Sequence, residues 1–331
     1  MIKLLTEVDL PVFTKKVGYR HQSMMMGSCF AENIGNHLLE LCLPITVNPF
    51  GILYNPVSIA NCLTNLLENK KFTSQDLFFH EHLYHSFSHS GKFSGTDQVK
   101  MLDLINAKVK ESQNVLKGCS HLFVTFGTSW VFRYKETGNV VSNCHKLPGI
   151  LFDHYRLQVA QITEIWVQLI QQMVKLNPDL QIVFTVSPIR HLKDGAHDNQ
   201  LSKSILLLAI DDLVTEFGTD LVSYFPSYEL MLDELRDYRF YTSDLTHPSD
   251  LAIELIREKF EISIFDQEAK VISSEMGKLV RACKHRLQNC NNIGFKVFIK
   301  NNIEIAQQIH NKYPFIDVGS LIKNLNEKNE I

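Results

Sequence analysis

The chain has 331 residues, and its 33 Lys and Arg residues against 36 Asp and Glu residues give a formal net charge of −3. Hydrophobic residues make up 45% of the sequence, enough for a buried core of ordinary globular size. The balanced charge argues against a protein that holds nucleic acid or a membrane surface through many Lys and Arg contacts.

The N-terminus and the cysteines predict a cytoplasmic protein that does not bind a membrane. Acidic residues interrupt the apolar residues of the segment 1–10, so this stretch lacks the apolar core of a signal peptide. No segment approaches the roughly 20 uncharged apolar residues of a spanning helix. The seven cysteines are odd in number and form no CxxC pair, which is typical of a reducing compartment.

Short apolar segments alternate with longer amphipathic segments over the first 225 residues. The predicted strands are residues 23–26, 45–48, 121–126, 181–186 and 221–225, and the predicted helices are residues 30–41, 57–67, 158–175 and 202–217. Strands that are separated by helices require crossover connections, which place them in a parallel sheet with helices on both faces. The sequence therefore predicts an α/β fold with a parallel five-stranded sheet.

Two segments lie outside this alternation. Residues 72–95 are rich in His, Phe and Ser, and we expect them to form an insertion loop over the sheet edge. Residues 263–331 have a helical pattern rich in Lys and Asn, which predicts a C-terminal helical appendage. We therefore divide the chain into an α/β domain of residues 1–262 and a helical extension of residues 263–331.

The first candidate motif, Gly27-Ser28-Cys29, ends the first predicted strand and opens the first predicted helix. Ligands of such sheets lie at the carboxyl ends of the strands, and the positive end of a helix dipole favours a thiolate or an alkoxide. A nucleophile in this position is one interpretation. The alternative is structural, with Ser28 as a helix cap and Cys29 as a buried apolar residue.

The second candidate motif is Asp244-Leu245-Thr246-His247, which lies just before a predicted helix. An aspartate three residues before a histidine can orient the imidazole through a local turn. A base that a carboxylate holds in one tautomer is the partner that a nucleophile needs. The structural alternative is an aspartate that caps the helix next to a surface histidine.

Two glycine-containing loops follow the second and third predicted strands. The first contains Gly51, and the second contains Gly127 and Thr128. Glycine lets a backbone N–H approach a ligand closely, so donors in these loops could stabilise an oxyanion. The alternative is that both glycines only satisfy the dihedral angles of turns.

Several strings of the sequence resemble the GSCFA family. They are GSCFAENIG, NPFGILYNP, HSGKFSG, TFGTSWVF, NCHK, TVSPIRHLKDG, YFPSYELMLDELRDYRFY and DLTHPS, and they occur in this order between residues 27 and 249. The family is similar to the SGNH (GDSL-like) hydrolases. The resemblance therefore implies a three-layer α/β/α fold of flavodoxin-like type and an ester-cleaving site.

The resemblance also implies roles for individual residues. Cys29 takes the place of the serine nucleophile in the Gly-Asp-Ser block of the SGNH hydrolases, and Ser28 is the nucleophile in the alternative register. Gly51 matches the oxyanion donor of the second block. Asp244 and His247 match the last block, Asp-x-x-His, without departure.

The third block of the superfamily, Gly-x-Asn, is only partly present in Gly127-Thr128-Ser129, because the asparagine is absent. The missing donor could come from Thr128, from Ser129 or from Asn143, which lies in the NCHK string. The sequence leaves the choice among these three open.

Three further polar residues are candidates for contact with a substrate. Arg190 and His191 follow the fourth predicted strand, and His89 lies in the HSGKFSG string. Arg190 could bind a carboxylate or a phosphate through two hydrogen bonds. It could equally form a structural network with the acidic residues of the segment 233–237.

The histidines of the segment 80–89 match no standard metal-binding spacing, so we expect no metal and no cofactor. The combined patterns predict a hydrolase or acyltransferase that acts on an ester or thioester through a covalent acyl intermediate. The expected substrate is a small-molecule or saccharide ester, such as an O-acetylated saccharide. The alternative function is a non-catalytic binding module for a small molecule or a glycan, and the oligomeric state is left open.

Overall fold

The computed structural model of the chain describes residues 6–284 and 293–329. Over these residues the ten β-strands are β1 (Ser23–Gly27), β2 (Ile45–Val47), β3 (Phe78–His80), β4 (Leu83–His85), β5 (His121–Phe126), β6 (Trp130–Tyr134), β7 (Val140–Val141), β8 (Phe152–Arg156), β9 (Gln181–Val186) and β10 (Val222–Tyr224). The ten α-helices of the same residues are α1 (Cys29–Glu40), α2 (Pro56–Leu67), α3 (Gln98–Gly118), α4 (Val159–Leu176), α5 (Ala196–Phe217), α6 (Ser227–Glu229), α7 (Asp250–Ile264), α8 (Gln267–Lys284), α9 (Ile293–Lys312) and α10 (Gly319–Asn329).

Five of the strands form one parallel sheet in the order β10-β9-β5-β1-β2. Helices cover both faces of this sheet, which confirms the predicted three-layer α/β/α fold with a parallel five-stranded sheet. The order in which the chain adds strands reverses between β1 and β5. Doubly wound sheets form their ligand crevice at such a switch point, outside the carboxyl ends of the strands.

The alternating side chains of the central strands build two separate cores. Met24 and Met26 of β1 and Leu122 of β5 pack towards α2, α3, α4 and α5. Met25 and Phe123 point to the opposite face, towards α1, α7 and α8. None of these five side chains is more than 4% exposed, and the burial of each contributes roughly 1.5–3 kcal/mol to stability.

The structure also contains elements that the sequence patterns do not predict. Helix α3 is one of them, because the exposed Val99 and Leu104 blur the apolar stripe formed by Met101 and Ile105. Strands β6, β7 and β8 form a second, antiparallel sheet in the order β7-β6-β8. Helix α5 begins at Ala196 rather than at residue 202.

Residues 72–95 are not a plain loop, because β3 and β4 form a hairpin within them. The segment is attached to two helices on one side of the sheet. The thiol of Cys62 in α2 lies 3.5 Å from the carbonyl oxygen of Ser88, and the N–H of Phe72 donates to Asn106 Oδ1 of α3 at 2.8 Å. Its role as an insertion over the sheet edge stays a prediction.

Helix α8 packs into the same core as α1, where its Ile272 and Met276 join Ile34. The predicted boundary after residue 262 falls within α7, which ends at Ile264, so the next helix begins slightly later than expected. The division into two domains stays a prediction. No helix in residues 6–284 and 293–329 has the length and apolar character needed to span a bilayer.

Candidate active site

Strand β1 ends in a glycine that other residues cannot replace. Gly27 has φ +137°, and a Cβ atom there would lie 2.3 Å from the carbonyl oxygen of Thr125. Its N–H donates to Asn48 Oδ1 at 2.8 Å, which ties the end of β1 to the end of β2. This junction fixes where Ser28 and Cys29 enter α1.

Cys29 is the first residue of α1, and its side chain is partly exposed. Burial raises the pKa of the Cys29 thiol, and the charge of Glu32 adds to this increase. The backbone N–H groups of Cys29 and Phe30 and the charge of Lys203 lower the pKa, but they do not cancel the effect of burial. The thiol is therefore protonated at neutral pH and needs a base before it can attack.

Ser28, the other candidate nucleophile, is the N-cap residue of α1. The residue is 1% exposed, and its Oγ has no hydrogen-bond partner among the described residues. The hydroxyl does not cap the first turn of the helix either. The more accessible side chain of the two is Cys29, which favours the register that makes the cysteine the nucleophile.

Asp244 and His247 form a short hydrogen bond, with 2.6 Å between Asp244 Oδ2 and His247 Nδ1. The other oxygen, Asp244 Oδ1, accepts the N–H groups of His247 and Thr246 and the hydroxyl of Thr242. These donors hold the pKa of the Asp244 carboxyl well below its usual range, so the group is ionised. The carboxylate makes Nδ1 the donor nitrogen of the imidazole and leaves Nε2 as an acceptor.

The Asp244 and His247 side chains are 49% and 52% exposed, respectively. Within the residues that the structure describes, no hydrogen bond joins the His247 ring to either candidate nucleophile. The Asp244–His247 pair lies near the loop that follows β9, because His247 and Lys203 both act on the pKa of His191.

The backbone donors predicted for an oxyanion are used inside the protein. The N–H of Gly51 donates to the carbonyl oxygen of Asn48 at 2.7 Å. The N–H groups of Gly127 and Thr128 both donate to the carbonyl oxygen of Tyr54, at 2.7 and 3.0 Å. These bonds argue against the predicted oxyanion roles of Gly51, Gly127 and Thr128, because a donor that is already bonded is not free for a substrate.

The side chains that could replace the missing asparagine are engaged as well. Thr128 Oγ1 and Ser129 Oγ lie 3.1 and 3.0 Å from Ser202 Oγ of α5. Asn143 Oδ1 accepts the N–H of His145 at 2.8 Å in the loop after β7. These bonds give each residue a structural role, and a contact of Thr128 or Asn143 with substrate stays a prediction.

His89 is a core residue, which corrects its predicted contact with a substrate. Its ring is 1% exposed and lies 4.8, 4.9 and 5.0 Å from the ring centres of Phe50, Phe72 and Phe93. Its Nδ1 bonds to Ser86 Oγ at 2.9 Å. Burial lowers the pKa of His89 to about 3, so the side chain is neutral and packs as an aromatic ring.

Arg190 and His191 follow the end of β9. Arg190 Nε and His191 Nε2 are buried and have no hydrogen-bond partner among the described residues. The Arg190 guanidinium lies 5.7 Å from the ring centre of Tyr241. The acidic residues proposed as its structural partners pair elsewhere, in Asp233–Arg236, Glu234–Lys259 and Asp237–Arg239. The His191 ring packs edge-on against Tyr54 at 5.7 Å, and burial lowers its pKa to about 4.

Two residues to which the sequence patterns assigned no role of their own belong to this region. Asn48 accepts the Gly27 N–H, and its amide Nδ2 is buried without a partner in the described part of the chain. Lys203 of α5 is fully buried and donates to carbonyl oxygens at the ends of β5 and β9. Its spacing from Leu206 and Ile210 puts it on the buried face of a predicted helix, and this signal could have identified it.

No group of three or more His, Cys, Asp or Glu side chains in residues 6–284 and 293–329 could hold a metal ion. The histidines around β4 bond to other groups instead. His85 Nδ1 lies 2.7 Å from Ser94 Oγ, and His145 Nε2 lies 2.9 Å from the carbonyl oxygen of Ser86. The two imidazole rings pack 4.5 Å apart, so they form part of an aromatic cluster.

The chain is similar in structure to a carbohydrate esterase family 2 enzyme with a carbohydrate-binding domain from Corynascus thermopiles (Myceliophthora fergusii), with 14% identity, a TM-score of 0.37, and coverage of 82% of this chain and 69% of that chain. It is also similar to an acetyl xylan esterase from the rumen bacterium Butyrivibrio proteoclasticus, with 10% identity, a TM-score of 0.34, and coverage of 82% and 66%. No curated protein matches the sequence.

The sequence profile of the GSCFA family matches residues 22–260. This range runs from the start of β1 into α7, so it contains all five strands of the parallel sheet. It also contains both candidate motifs, Gly27-Ser28-Cys29 and the segment from Asp244 to His247. Because the match covers most of the chain and both motifs, the protein belongs to the GSCFA family.

Proposed function

We propose that the protein cleaves or transfers an acyl group held as an ester or thioester, with Cys29 as the nucleophile and His247 as the base. The observation that carries this proposal is the 2.6 Å hydrogen bond between Asp244 Oδ2 and His247 Nδ1. A histidine held in this way offers Nε2 as a proton acceptor. The position of Cys29 at the start of α1 supports its role, because the helix dipole favours a negative charge there.

The reaction begins when His247 Nε2 accepts the thiol proton and Cys29 Sγ attacks the carbonyl carbon of the ester. The tetrahedral intermediate releases its alcohol, which takes the proton from the imidazolium, and an acyl thioester on Cys29 remains. His247 then removes a proton from a water molecule, whose oxygen attacks the thioester. The carboxylic acid leaves, Sγ regains the proton, and the site returns to its starting state.

This scheme requires His247 to approach Cys29 more closely than it does in the resting protein. Catalytic hydrogen bonds are often long before substrate binds and tighten in the complex. Because His247 is held by Asp244, the approach moves the bonded pair together, and both side chains are about half exposed, at 52% and 49%.

We assign the oxyanion contact to the Asn48 amide and to the backbone N–H groups at the start of α1. Asn48 Nδ2 has no partner among the described residues, and Asn48 Oδ1 is held by the N–H of Gly27, two residues before the nucleophile. The N–H of Glu32 donates to the carbonyl oxygen of Ser28, which is the first hydrogen bond of the helix. The N–H groups of the preceding residues of α1 therefore have no acceptor within the helix. Each such donor is worth roughly 3 kcal/mol of barrier.

Within this class, we propose an O-acylated saccharide, such as an acetylated one, as the substrate. The similarity of the GSCFA family to SGNH hydrolases supports an ester substrate. The unpartnered nitrogens of Arg190 and His191 suit the hydroxyl and carbonyl oxygens of such a ligand. Because a thioester is open to attack by hydroxyl groups, a sugar hydroxyl can replace water as the acceptor, which would make the enzyme an acyltransferase.

A second candidate function is a non-catalytic module that binds a glycan or another small ester. The observation that favours it is the loss of backbone oxyanion donors, since the N–H groups of Gly51 and Gly127 are bonded to protein carbonyls. Burial also raises the pKa of the Cys29 thiol, which disfavours the reactive thiolate.

Hydrolysis of p-nitrophenyl acetate and of acetylated xylo-oligosaccharides separates the two candidates. We expect release of product in proportion to protein concentration, and we expect an added sugar alcohol to divert part of the acyl group if transfer occurs. Cys42→Ala is the matched control for Cys29→Ala, because Cys42 is also partly exposed and lies just beyond the other end of α1. Saturable binding of the oligosaccharides with no turnover above background would contradict the catalytic proposal and favour the binding module.

A further inference from the structure

Lys203 is a buried lysine with two neutral partners. It lies in α5 with no exposed surface. Its Nζ donates to the carbonyl oxygen of Gly127 at 2.7 Å and to that of Ser187 at 2.8 Å. These two residues directly follow β5 and β9, so the lysine ties together two loops at the carboxyl edge of the sheet.

The charge of this lysine has no partner of opposite sign within ion-pairing distance in the described residues, since Lys203 takes part in none of their salt bridges. The nearby ring of Tyr228, 5.6 Å from Nζ, compensates the charge only in part. A buried ammonium ion with neutral partners is costly, and burial lowers the pKa of Lys203 to about 7. Such a group gains from any anion that forms close to it.

The sheet register brings Lys203 close to the candidate nucleophile. Strand β1 pairs with β5 so that Gly27 lies opposite Thr125. Cys29 and Gly127 each lie two residues beyond this pair on neighbouring chain segments, and Lys203 is bonded to Gly127. The electrostatic coupling agrees with this placement, because the Cys29 thiolate and the Lys203 ammonium each favour the charged form of the other.

We infer that Lys203 is a positioning residue for Cys29, whose buried ammonium group stabilises the thiolate form of the nucleophile and holds the two loops that border it. The inference rests on the proposed function only in naming Cys29 as the nucleophile. The coupling of the two groups is a property of the resting protein, and it can be measured without any ester substrate.

Other titratable groups lie near Cys29 and Lys203, but none of Glu32, Tyr54 and His191 adds a positive charge that would favour the thiolate at neutral pH. Glu32 and Tyr54 lie near Cys29, and the carboxylate of Glu32 opposes the thiolate. His191 lies near Lys203, but burial lowers its pKa to about 4, so it is neutral above that pH. Lys203 is therefore the cation that favours the thiolate at and below about pH 7, where its ammonium form is populated, and its removal lowers the fraction of thiolate in that range.

The test is the rate of Cys29 alkylation by iodoacetamide, followed by mass spectrometry of the peptide that contains it, from pH 5.5 to pH 10. In Lys203→Met we expect alkylation between pH 6 and 7, where the ammonium form is populated in the wild type, to slow severalfold, whereas the two profiles should converge at high pH, where Lys203 is neutral. Lys203→Gln keeps donors for the two carbonyls without the charge, so it should show the same loss of rate between pH 6 and 7. Lys193→Met removes an exposed lysine of the neighbouring loop and should match the wild type.

A second measurement needs no substitution of the lysine. In protein labelled with 13C at the lysine Cε, we expect the Lys203 signal to titrate well below the usual range of a lysine. Cys29→Asp places a permanent anion where the thiolate forms, and because coupling between two sites is reciprocal, the Lys203 transition should lie at higher pH in Cys29→Asp than in the wild type. Equal Lys203 transitions in the two proteins would overturn the inference, as would an unchanged alkylation profile in folded Lys203→Gln.

These results are distinguishable from a failure of the proposed function. Coupled titration without ester turnover would contradict the proposed catalysis and leave the Lys203–Cys29 pair intact. Ester turnover that depends on Cys29, combined with the same alkylation profile in Lys203→Gln as in the wild type, would support the proposed function and overturn the inference.

Discussion

Replacement of Cys29 by alanine is expected to lower the rate of p-nitrophenyl acetate hydrolysis at least about 10³-fold, because loss of the nucleophile removes the covalent route. Ser28→Ala should keep most of the activity. The Ser28 hydroxyl is buried and has no partner among the described residues, so its removal leaves no polar group newly unpaired. The measurement is kcat/KM for both variants beside the wild type.

Cys29→Ser provides a sharper version of this comparison. It keeps a hydroxyl at the start of α1 but replaces the more acidic thiol, so we expect an activity between those of the wild type and Cys29→Ala. Cys42→Ala controls for the loss of a partly exposed thiol elsewhere. Loss of activity in Ser28→Ala, with activity kept in Cys29→Ala, would assign the nucleophile to Ser28 and reverse our choice.

Replacement of His247 by alanine is expected to lower kcat by about 10³- to 10⁴-fold, since no other base then takes the thiol proton. Asp244→Asn should lower it by a similar order, because the imidazole loses the carboxylate that orients it through a 2.6 Å bond. KM should change little in both variants, since neither side chain is assigned a contact with the bound ester. The measurement is a full kinetic profile from pH 5 to pH 9.

The pH dependence distinguishes the two members of the pair. The pKa of the Asp244 carboxyl is held well below its usual range by the N–H groups of His247 and Thr246. Its ionised form therefore persists as the pH falls, and the acid limb of the wild-type profile should not report Asp244. Asp233→Asn, which removes an exposed carboxylate paired with Arg236, is the matched control and should leave the profile unchanged. Full activity in Asp244→Asn would contradict the assigned role.

Strands β5 and β9 could be predicted to the residue. β5 and β9 are mostly apolar segments in which every residue is buried, and residues that break strands follow at Gly127 and at Ser187-Pro188. The small sheet of β6, β7 and β8 has no such segment. In β6 the exposed Arg133 lies between two partly buried aromatic residues. The strand pairs with β8, which lies farther along the chain.

The local part of the candidate site could be predicted as well, whereas its long-range contacts could not. A spacing of three residues is enough for Asp244 to reach His247 through a turn. The burial of His89 depends instead on Phe50 and Phe72, which the fold brings together from separate segments. A sequence pattern also does not reveal that the carbonyl of another loop accepts the Gly127 N–H.

The central claim is that an acyl group passes through a covalent bond to Cys29. The most direct measurement mixes the protein with p-nitrophenyl acetate, quenches it in acid within the first turnovers, and locates the added acetyl group by peptide mass spectrometry. The account predicts an acetyl thioester on Cys29 that disappears as substrate is exhausted and is absent from Cys29→Ala. Sustained turnover with Cys29 unmodified and the acetyl group on Ser28, or on no residue, would contradict it.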